Sequence, residues 1–198
     1  EDLLAILEAE KVSYYALAGV SMGGIIAQAL AIADSKRISR IILCDTFMDL
    51  ETVKERLVGW ATLQGLRLYA RLGKKRLAHI VASPYRNSPQ VAEYFRRAVA
   101  AADLSAVIAA RRAINKVCHK EALAELRVPT LQLVGAKAGA FFVQLNRKIE
   151  AVIPNAHLVV LPSGTDPSNL VAPDEFNTEA LPFLKSSAAR EAVRVIDC

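Results

Sequence analysis

The chain has few of the residues that mark disulfide-stapled, fibrous or membrane-spanning proteins. Its 198 residues include 3 cysteines, 9 glycines, 8 prolines and 3 histidines. Three cysteines (Cys44, Cys118 and Cys198) are too few, and odd in number, for a disulfide scaffold. They fit a reducing compartment, so we predict a cytoplasmic protein. No apolar run approaches the roughly 20 residues of a membrane-spanning helix. No Cys or His spacing indicates a metal site, and we expect no metal and no cofactor.

What the chain does contain is enough apolar material for a buried core. Apolar residues make up 53% of the sequence and charged residues 23%. This balance excludes an intrinsically disordered chain. At this length we expect one domain, or one domain that carries a sub-domain.

Positive charge is concentrated in the middle of the chain. The formal net charge is +5, yet residues 51–128 contain 15 Lys and Arg against 6 Asp and Glu. Such a segment is typical either of a solvated helical surface or of a surface that attracts anions. No aromatic residues alternate with the basic run 71–76, so nucleic-acid binding is not expected. We predict a small anionic ligand, and no membrane partner.

Short apolar runs alternate with helical patterns at both ends of the chain. Four runs predict β-strands: Tyr14–Val20, Ile38–Cys44, Thr130–Val134 and His157–Leu161. Helices are predicted at Asp2–Glu10, Met22–Ala33 and Phe142–Ile153. Strand–helix–strand alternation indicates a mostly parallel sheet in an α/β fold.

The middle of the chain shows helical patterns only. A helical pattern at Glu51–Val81 is interrupted near Gly65 and Gly73, and Ser88 and Asp103 or Ser105 are positioned to begin further helices. A short helix is predicted at Lys120–Leu126 and a last one at Ser186–Ile196. We therefore predict a core formed by residues 1–50 and 127–198, with a helical cap inserted at 51–126.

The most informative segment is Ala18–Gly24, which reads AGVSMGG. It matches the pattern G-x-S-x-G between a strand and a helix, the context of a nucleophile elbow. This context predicts that Ser21 projects from a sharp turn at the carboxyl edge of the sheet. The amide of Met22 would then lie at a helix N-terminus, where it can bind an oxyanion.

The predicted strands and helices and the motif at Ser21, in this order along the chain, resemble the α/β-hydrolase superfamily. The resemblance is closest to small lactonases and esterases such as 3-oxoadipate enol-lactonases. The matching stretches are GVSMGGIIAQAL, RISRIILCDTF, LRVPTLQLVG, IPNAHLVVLPSG and SNLVAPDEFN. The resemblance implies an α/β-hydrolase-like sheet, with the cap covering a cleft above Ser21.

The chain departs from this family before the elbow. Members usually have several strands ahead of the elbow strand, and one early loop supplies a second oxyanion donor. Here only one predicted helix precedes Tyr14–Val20. The resemblance therefore implies an N-terminally incomplete sheet, whose open edge would favour association. Either the chain is a fragment, or a second copy or another polypeptide completes the sheet. We expect a homo-oligomer or such a second chain.

The catalytic acid and histidine of the family are also missing from their usual places. The resemblance places the acid at Ala138 and the histidine at Asp166. Some relatives carry the acid at the position of Asp45, which is otherwise expected to form a turn or helix cap. His119 is a further histidine that could approach the site. Asp166 would need its basicity raised by burial to act as a general base.

Three functions are compatible with a serine whose usual acid and histidine partners are missing. The first is a weak or altered hydrolase of small anionic esters or lactones, with Ser21, Asp45 and Asp166 as candidate catalytic residues. The second is a non-hydrolytic enzyme, such as a lyase, decarboxylase or cyclase, and the third a non-catalytic binding or assembly subunit. Candidate ligand contacts are Trp60, Arg96, Arg111 and Phe141, although such arginines are more often solvent-facing and such aromatic residues more often belong to the core.

Overall fold

A computed structural model of the protein describes residues 1–186, which form two compact units. The first contains residues 1–48 and 119–186, and the second is Asp49–Cys118. The helix predicted at Ser186–Ile196 lies, apart from its first residue, outside the described residues.

The first unit contains a four-stranded parallel sheet. Its strands are β1 (Tyr15–Val20), β2 (Ile38–Cys44), β3 (Thr130–Gly135) and β4 (Ala156–Leu161), in the spatial order β1-β2-β3-β4. All three pairings are parallel. The predicted fold class is therefore confirmed, and each strand boundary lies within one residue of its predicted position.

Helices separate the strands and fill the middle of the chain. In chain order they are α1 (Asp2–Ala9), α2 (Met22–Asp34), α3 (Val53–Arg71), α4 (Lys74–Ala82), α5 (Pro89–Ala101), α6 (Leu104–Ile114), α7 (Lys120–Ala124), α8 (Ala140–Val152), α9 (Ser168–Val171) and α10 (Pro173–Lys185). No helix within residues 1–186 is both long and apolar enough to cross a membrane.

The core of the first unit lies on both faces of the sheet because side chains of β2 alternate between them. Ile41 and Leu43 pack on one face with residues of α2 and α8 and with Leu123 of α7. Ile42 and Cys44 pack on the other face with β3 and with Ala180 of α10. This two-sided burial explains why β2 and β3 read as nearly continuous apolar runs.

Strand β1 forms one edge of the described sheet. It pairs with β2, and Ala16 and Ala18 are exposed along it. The helix that precedes β1 in the chain, α1, contains no buried residue although Leu3 and Ile6 are apolar. An exposed edge of this kind is a template for strand pairing, and a partner that covers it stays a prediction.

The second unit consists of α3 to α6 and has no strand among its described residues apart from an isolated bridge between Asp49 and Cys118. A capping box between Thr52 and Glu55 begins α3, and the Asp103 side chain caps α6. One prediction about this segment was wrong: Gly65 does not interrupt α3, which continues to Arg71. Ser88 is the N-cap residue of α5, as predicted, although its side chain makes no capping hydrogen bond.

The boundary between the units also differs from the predicted end of the cap at residue 126. Helix α7 clusters with the sheet, and the second unit ends at Cys118. The reason is that Leu123 and Leu126 are buried in the core cluster with β2, α2 and α8. Because these two leucines are buried against the sheet, α7 belongs to the first unit. Its helical sequence, which resembles that of the preceding segment, did not reveal this.

Candidate active site

Ser21 occupies a strained turn between β1 and α2. Its backbone has φ 53° and ψ −118°, a sparsely populated region that typically costs about 1–3 kcal/mol. The Ser21 amide donates to the Cys44 carbonyl at 2.8 Å, and the Gly24 amide donates to the Ser21 carbonyl at 3.0 Å. A Cβ atom at Gly19 would lie 2.3 Å from the Gly23 carbonyl oxygen. The turn therefore requires glycine at this point of the pattern.

The Ser21 side chain is paired with an aspartate from the loop after β4. Ser21 Oγ donates a hydrogen bond to Asp166 Oδ2 at 3.0 Å, and both residues are partly buried. The structure thus brings together two of the predicted site residues, in the place where the family resemblance leads one to expect a serine and a histidine. A carboxylate in this position can accept a hydrogen bond from the Ser21 hydroxyl. Unlike an imidazole, it has no second nitrogen that could donate a hydrogen bond to another group.

The third predicted residue, Asp45, is fully buried at the end of β2. Its Oδ1 accepts from the Gly135 amide at 2.9 Å and from Ser168 Oγ at 3.0 Å, and its Oδ2 accepts from the Ser168 amide at 2.6 Å. No imidazole is among these partners. The structure therefore does not support Asp45 as the acid that orients a catalytic histidine, nor as a cap of its own turn. It links three segments of the chain instead.

The loop that carries Asp166 is held closely against the end of β3. A Cβ atom at Gly135 would lie 2.3 Å from the Gly164 carbonyl carbon, so the two backbones approach as closely as glycine allows. The Lys137 amide also donates to the Gly164 carbonyl at 2.9 Å. The segment from Gly164 to Ser168 is thus fixed at both ends, with Asp166 between them.

The thiol of Cys44 is buried beside these carboxylates. Cys44 Sγ lies 3.4 Å from Asp45 Oδ2, to which it donates. Burial, followed by the nearby charges of Asp45 and Asp166, raises the pKa of the Cys44 thiol well above its usual value. Cys44 is therefore a neutral thiol at physiological pH, and not an alternative nucleophile.

His119 does not contact Ser21. Its Nδ1 lies 3.1 Å from Gln28 Oε1 on α2, and Gln28 Nε2 donates to the Phe47 carbonyl at 3.0 Å. Burial lowers the pKa of His119 below its usual value, which favours the neutral ring. The other histidines are His79 on α4 and His157 on β4. Ser21 accordingly has an aspartate, and no histidine, as its side-chain partner.

The remaining predicted positions lie on different elements. Met22 is the first residue of α2, so its amide has no partner carbonyl within the helix. Ala138 lies in a single 3-10 turn after β3, where no acid is available. Trp60, Arg96 and Arg111 belong to α3, α5 and α6 of the second unit, whereas Phe141 belongs to α8 of the first. Arg96 pairs with Glu93 at 3.0 Å. Ligand contact by these four residues stays a prediction.

Sequence reasoning missed Gly135 and Ser168, the donors that join Asp45 to the end of β3 and to the loop of Asp166. A buried carboxylate needs hydrogen-bond donors, and Asp45 follows a strand that is apolar throughout its second half. That position indicated burial. It did not indicate donors 90 and 123 residues further along the chain. Residues 1–186 contain no group of three His, Cys, Asp or Glu side chains able to hold a metal ion.

Comparison with known proteins agrees with this architecture. Residues 1–172 match the family model of the alpha/beta hydrolase fold. No curated protein sequence matches the chain. Solved structures similar to it include MenH from S. aureus, with a TM-score of 0.76, 26% identity, and coverage of 92% of this chain and 72% of that one. A thermophilic esterase from Thermogutta terrifontis, solved with malate bound, has a TM-score of 0.75 at 25% identity, with 93% and 70% coverage.

The enol-lactonase from Burkholderia xenovorans LB400 has a TM-score of 0.76 at 23% identity, and the alignment covers 93% of this chain and 71% of that one. At this identity the likeness concerns the fold alone. The family match covers most of the chain, and it agrees with the parallel sheet and with the strand–turn–helix that presents Ser21. The chain therefore belongs to the α/β-hydrolase fold family.

Proposed function

We propose that this protein acts on a small anionic ester or lactone through Ser21, with catalysis weaker than that of a complete serine triad. The observation that carries the proposal is the hydrogen bond from Ser21 Oγ to Asp166 Oδ2 at 3.0 Å. It joins a hydroxyl on a strained elbow to a proton acceptor within the distance that general-base catalysis needs.

In the proposed reaction Asp166 accepts the Ser21 proton as Oγ attacks the carbonyl carbon. The tetrahedral intermediate then expels the alcohol oxygen, which takes the proton from Asp166, and an acyl-serine remains. Water attacks the acyl carbon while Asp166 accepts its proton. Return of that proton to Oγ releases the acid. For a lactone, the alcohol and the acid remain parts of one product.

The choice of base explains why catalysis is weak. In water the pKa of an aspartate side chain is about 3.9 and that of a histidine about 6.5, so a carboxylate takes a hydroxyl proton less readily than an imidazole. The amide of Met22 supplies one donor toward the oxyanion at the N-terminal end of α2. An oxyanion site and a binding pocket without a full triad still accelerate such reactions by about 10³–10⁴ over water.

Two observations support an anionic substrate. The second unit, Asp49–Cys118, contains 13 Lys and Arg against 5 Asp and Glu. A positive surface of this kind raises the local concentration of anions. In addition, the similar esterase from Thermogutta terrifontis was solved with malate, a dicarboxylate.

The test is reaction with a fluorophosphonate probe, together with hydrolysis of p-nitrophenyl hemisuccinate. We expect slow labelling and slow hydrolysis, both of which Ser21→Ala abolishes. Ser163→Ala, in the loop of Asp166, is the matched control and should retain both. Rapid stoichiometric labelling of Ser21 would contradict weak catalysis, and labelling that persists in Ser21→Ala would contradict the role of Ser21.

A second candidate is a protein that binds an anionic ligand without hydrolysing it, either as a non-hydrolytic enzyme or as a binding subunit. Its support is that Ser21 is paired with a carboxylate and not with an imidazole. In that case the probe leaves Ser21 unlabelled and hemisuccinate is not hydrolysed. The intact p-nitrophenyl hemisuccinate anion would still bind, and Ser21→Ala would weaken this binding by removing a hydroxyl donor.

A further inference from the structure

Asp45 lies at the meeting point of three segments that surround the candidate site. It directly follows β2, one of its oxygen atoms accepts from the amide that ends β3, and both oxygen atoms accept from Ser168 after β4. Because the strands are parallel, their carboxyl ends meet at one edge of the sheet. This edge is where Ser21 also projects.

The buried carboxylate of Asp45 accepts several hydrogen bonds. Asp45 and Ser168 are both 0% exposed. Two backbone amides and one hydroxyl donate to its two oxygen atoms, at distances of 2.6–3.0 Å. Hydrogen bonds to an ionised acceptor are about twice as strong as neutral ones. The carboxylate therefore holds Ser168 in a defined position.

Ser168 lies two residues after Asp166, so the position of one restricts the other. On the far side of Asp166, Gly164 is held by its close approach to Gly135 and by the Lys137 amide. Asp166 is thus carried by a short segment that is fixed at both ends. Asp45 holds this segment at Ser168, on the C-terminal side of Asp166.

We infer that Asp45 is a positioning residue for Asp166: its carboxylate holds Ser168, and through it the loop that presents Asp166 to Ser21. This inference rests on the proposed function, because it assigns Asp45 to the support of the proposed base. Asp45 itself does not touch the reacting atoms. A displacement of about 1 Å at a reacting group can reduce a rate about a hundredfold.

The test combines Asp45→Asn with Asp166→Asn in a double-mutant cycle. In Asp45→Asn the oxygen atom can accept from Gly135 and Ser168 Oγ, but the new NH2 group opposes the Ser168 amide. We expect a loss of about ten- to a hundredfold in the rate constant for Ser21 phosphonylation, with the concentration for half-maximal rate within about twofold. In the Asp166→Asn background, Asp45→Asn should change this rate constant by less than about twofold.

Ser168→Ala provides a milder variant in case Asp45→Asn fails to fold. It removes the hydroxyl bond to Asp45 Oδ1 and keeps the amide bond. We expect a smaller loss, again only where Asp166 is present. A core variant such as Ile149→Val, chosen because Ile149 is buried in the cluster that contains Ile41 and Leu43, controls for general destabilisation and should leave the phosphonylation rate constant within about twofold of wild type.

Hydrogen exchange of the Ser168 amide gives a readout independent of activity. It should be protected in the wild type and in Asp166→Asn, and exchange at least tenfold faster in Asp45→Asn. Equal rate losses from Asp45→Asn in both backgrounds, or an unchanged Ser168 exchange rate, would overturn the positioning role. If Asp166→Asn alone leaves the Ser21 rate unchanged, the proposed base is wrong, whereas the exchange data still report whether Asp45 holds the loop.

Discussion

Ser21 Oγ and Asp166 Oδ2 are 3.0 Å apart although 145 residues separate them in the chain. The pairing joins the elbow after the first described strand to the loop after the last. It gives the serine a proton acceptor, but one that is a weaker base than the imidazole of a complete triad. The same loop depends on Asp45, so the site is a small network of carboxylates and hydroxyls.

Replacement of Asp166 by histidine should increase the reactivity of Ser21. An imidazole has a pKa closer to neutral pH than a carboxylate, and general-base catalysis contributes about 10²–10⁴-fold when the base is matched to the operating pH. We expect Asp166→His to raise the fluorophosphonate labelling rate constant at pH 7.5 by at least about tenfold. Ser21→Ala in the same background should remove labelling. An unchanged or lower rate constant would show that the loop does not present residue 166 to Ser21.

Ionic strength should weaken the action of the protein on an anionic substrate. The second unit has 13 basic and 5 acidic residues, and salt screens the attraction between exposed charges over about 10 Å at 0.1 M. We expect kcat/KM for p-nitrophenyl hemisuccinate to fall severalfold between 20 and 500 mM NaCl. Hydrolysis of p-nitrophenyl butyrate, a neutral ester, is the control and should change little. The same salt dependence for both esters would contradict the preference for anions.

Alkylation should distinguish the cysteines of the folded protein. Cys44 is buried, and burial together with nearby carboxylates raises the pKa of its thiol. Cys118 is exposed. Because the thiolate is the reactive form, iodoacetamide at pH 8 should modify Cys118 at least about a hundredfold faster than Cys44, as measured by peptide mass spectrometry. The difference should disappear in denaturant, and comparable rates in the folded protein would contradict the burial of Cys44.

Stability should decline at alkaline pH in a way that depends on Tyr15. Burial and the hydrogen bond from Tyr15 Oη to Asp34 Oδ2 at 2.8 Å raise the pKa of Tyr15 from 10.0 to about 12. The folded state therefore retains a proton that the unfolded state loses. The contribution is complete below pH 10 and is lost as the pH rises from about 10 to about 12.

Urea unfolding at several pH values between 8 and 11.5 measures this effect. Tyr15→Phe should unfold with a smaller loss of stability over this range than the wild type. Tyr94→Phe changes an exposed tyrosine and serves as the control, with a wild-type pH dependence. Parallel curves for the wild type and Tyr15→Phe would show that the Asp34 contact does not hold the phenol proton.

The exposed edge at β1 should promote association. Ala16 and Ala18 are exposed on this strand, and a charged side chain on an edge strand opposes pairing with another chain. We expect light scattering to detect species larger than 21.5 kDa, and Ala18→Lys to reduce their amount. Ala98→Lys, on the exposed surface of α5, adds the same charge elsewhere and should have no such effect. A monomer at all concentrations would contradict a partner at this edge.

Local patterns in the sequence were sufficient to predict the elements. All four strands were predicted within one residue at each end, because parallel strands buried on both faces are short apolar runs with little competing helical signal. The turn at Ser21 was predictable in part for a similar reason, because a Cβ atom at Gly19 would meet Gly23 of the same short segment. The Ser21 amide, in contrast, donates to the Cys44 carbonyl on β2, a contact that the local pattern did not indicate.

Helix α7 shows where the local signal was insufficient. Its sequence is helical like that of the segment before it, so the predicted cap extended to residue 126. The assignment of α7 to the sheet depends on the burial of Leu123 and Leu126 against residues of β2 and α8. Amphipathic periodicity indicates that a helix has an apolar face, but not which of two cores that face joins.

The sequence by itself indicated the fold family, the serine between a strand and a helix, and an aspartate where the family resemblance implies a histidine, since each was inferred from short segments and their order along the chain. Only the tertiary structure decided that Asp166 accepts a hydrogen bond from Ser21. It also decided that Asp45 accepts hydrogen bonds from Ser168 and Gly135 and not from an imidazole. These partners are 90 to 145 residues apart in the chain. They meet because the carboxyl ends of all strands in a parallel sheet lie at one edge. Patterns within short segments of the sequence do not indicate which side chains come into contact at that edge.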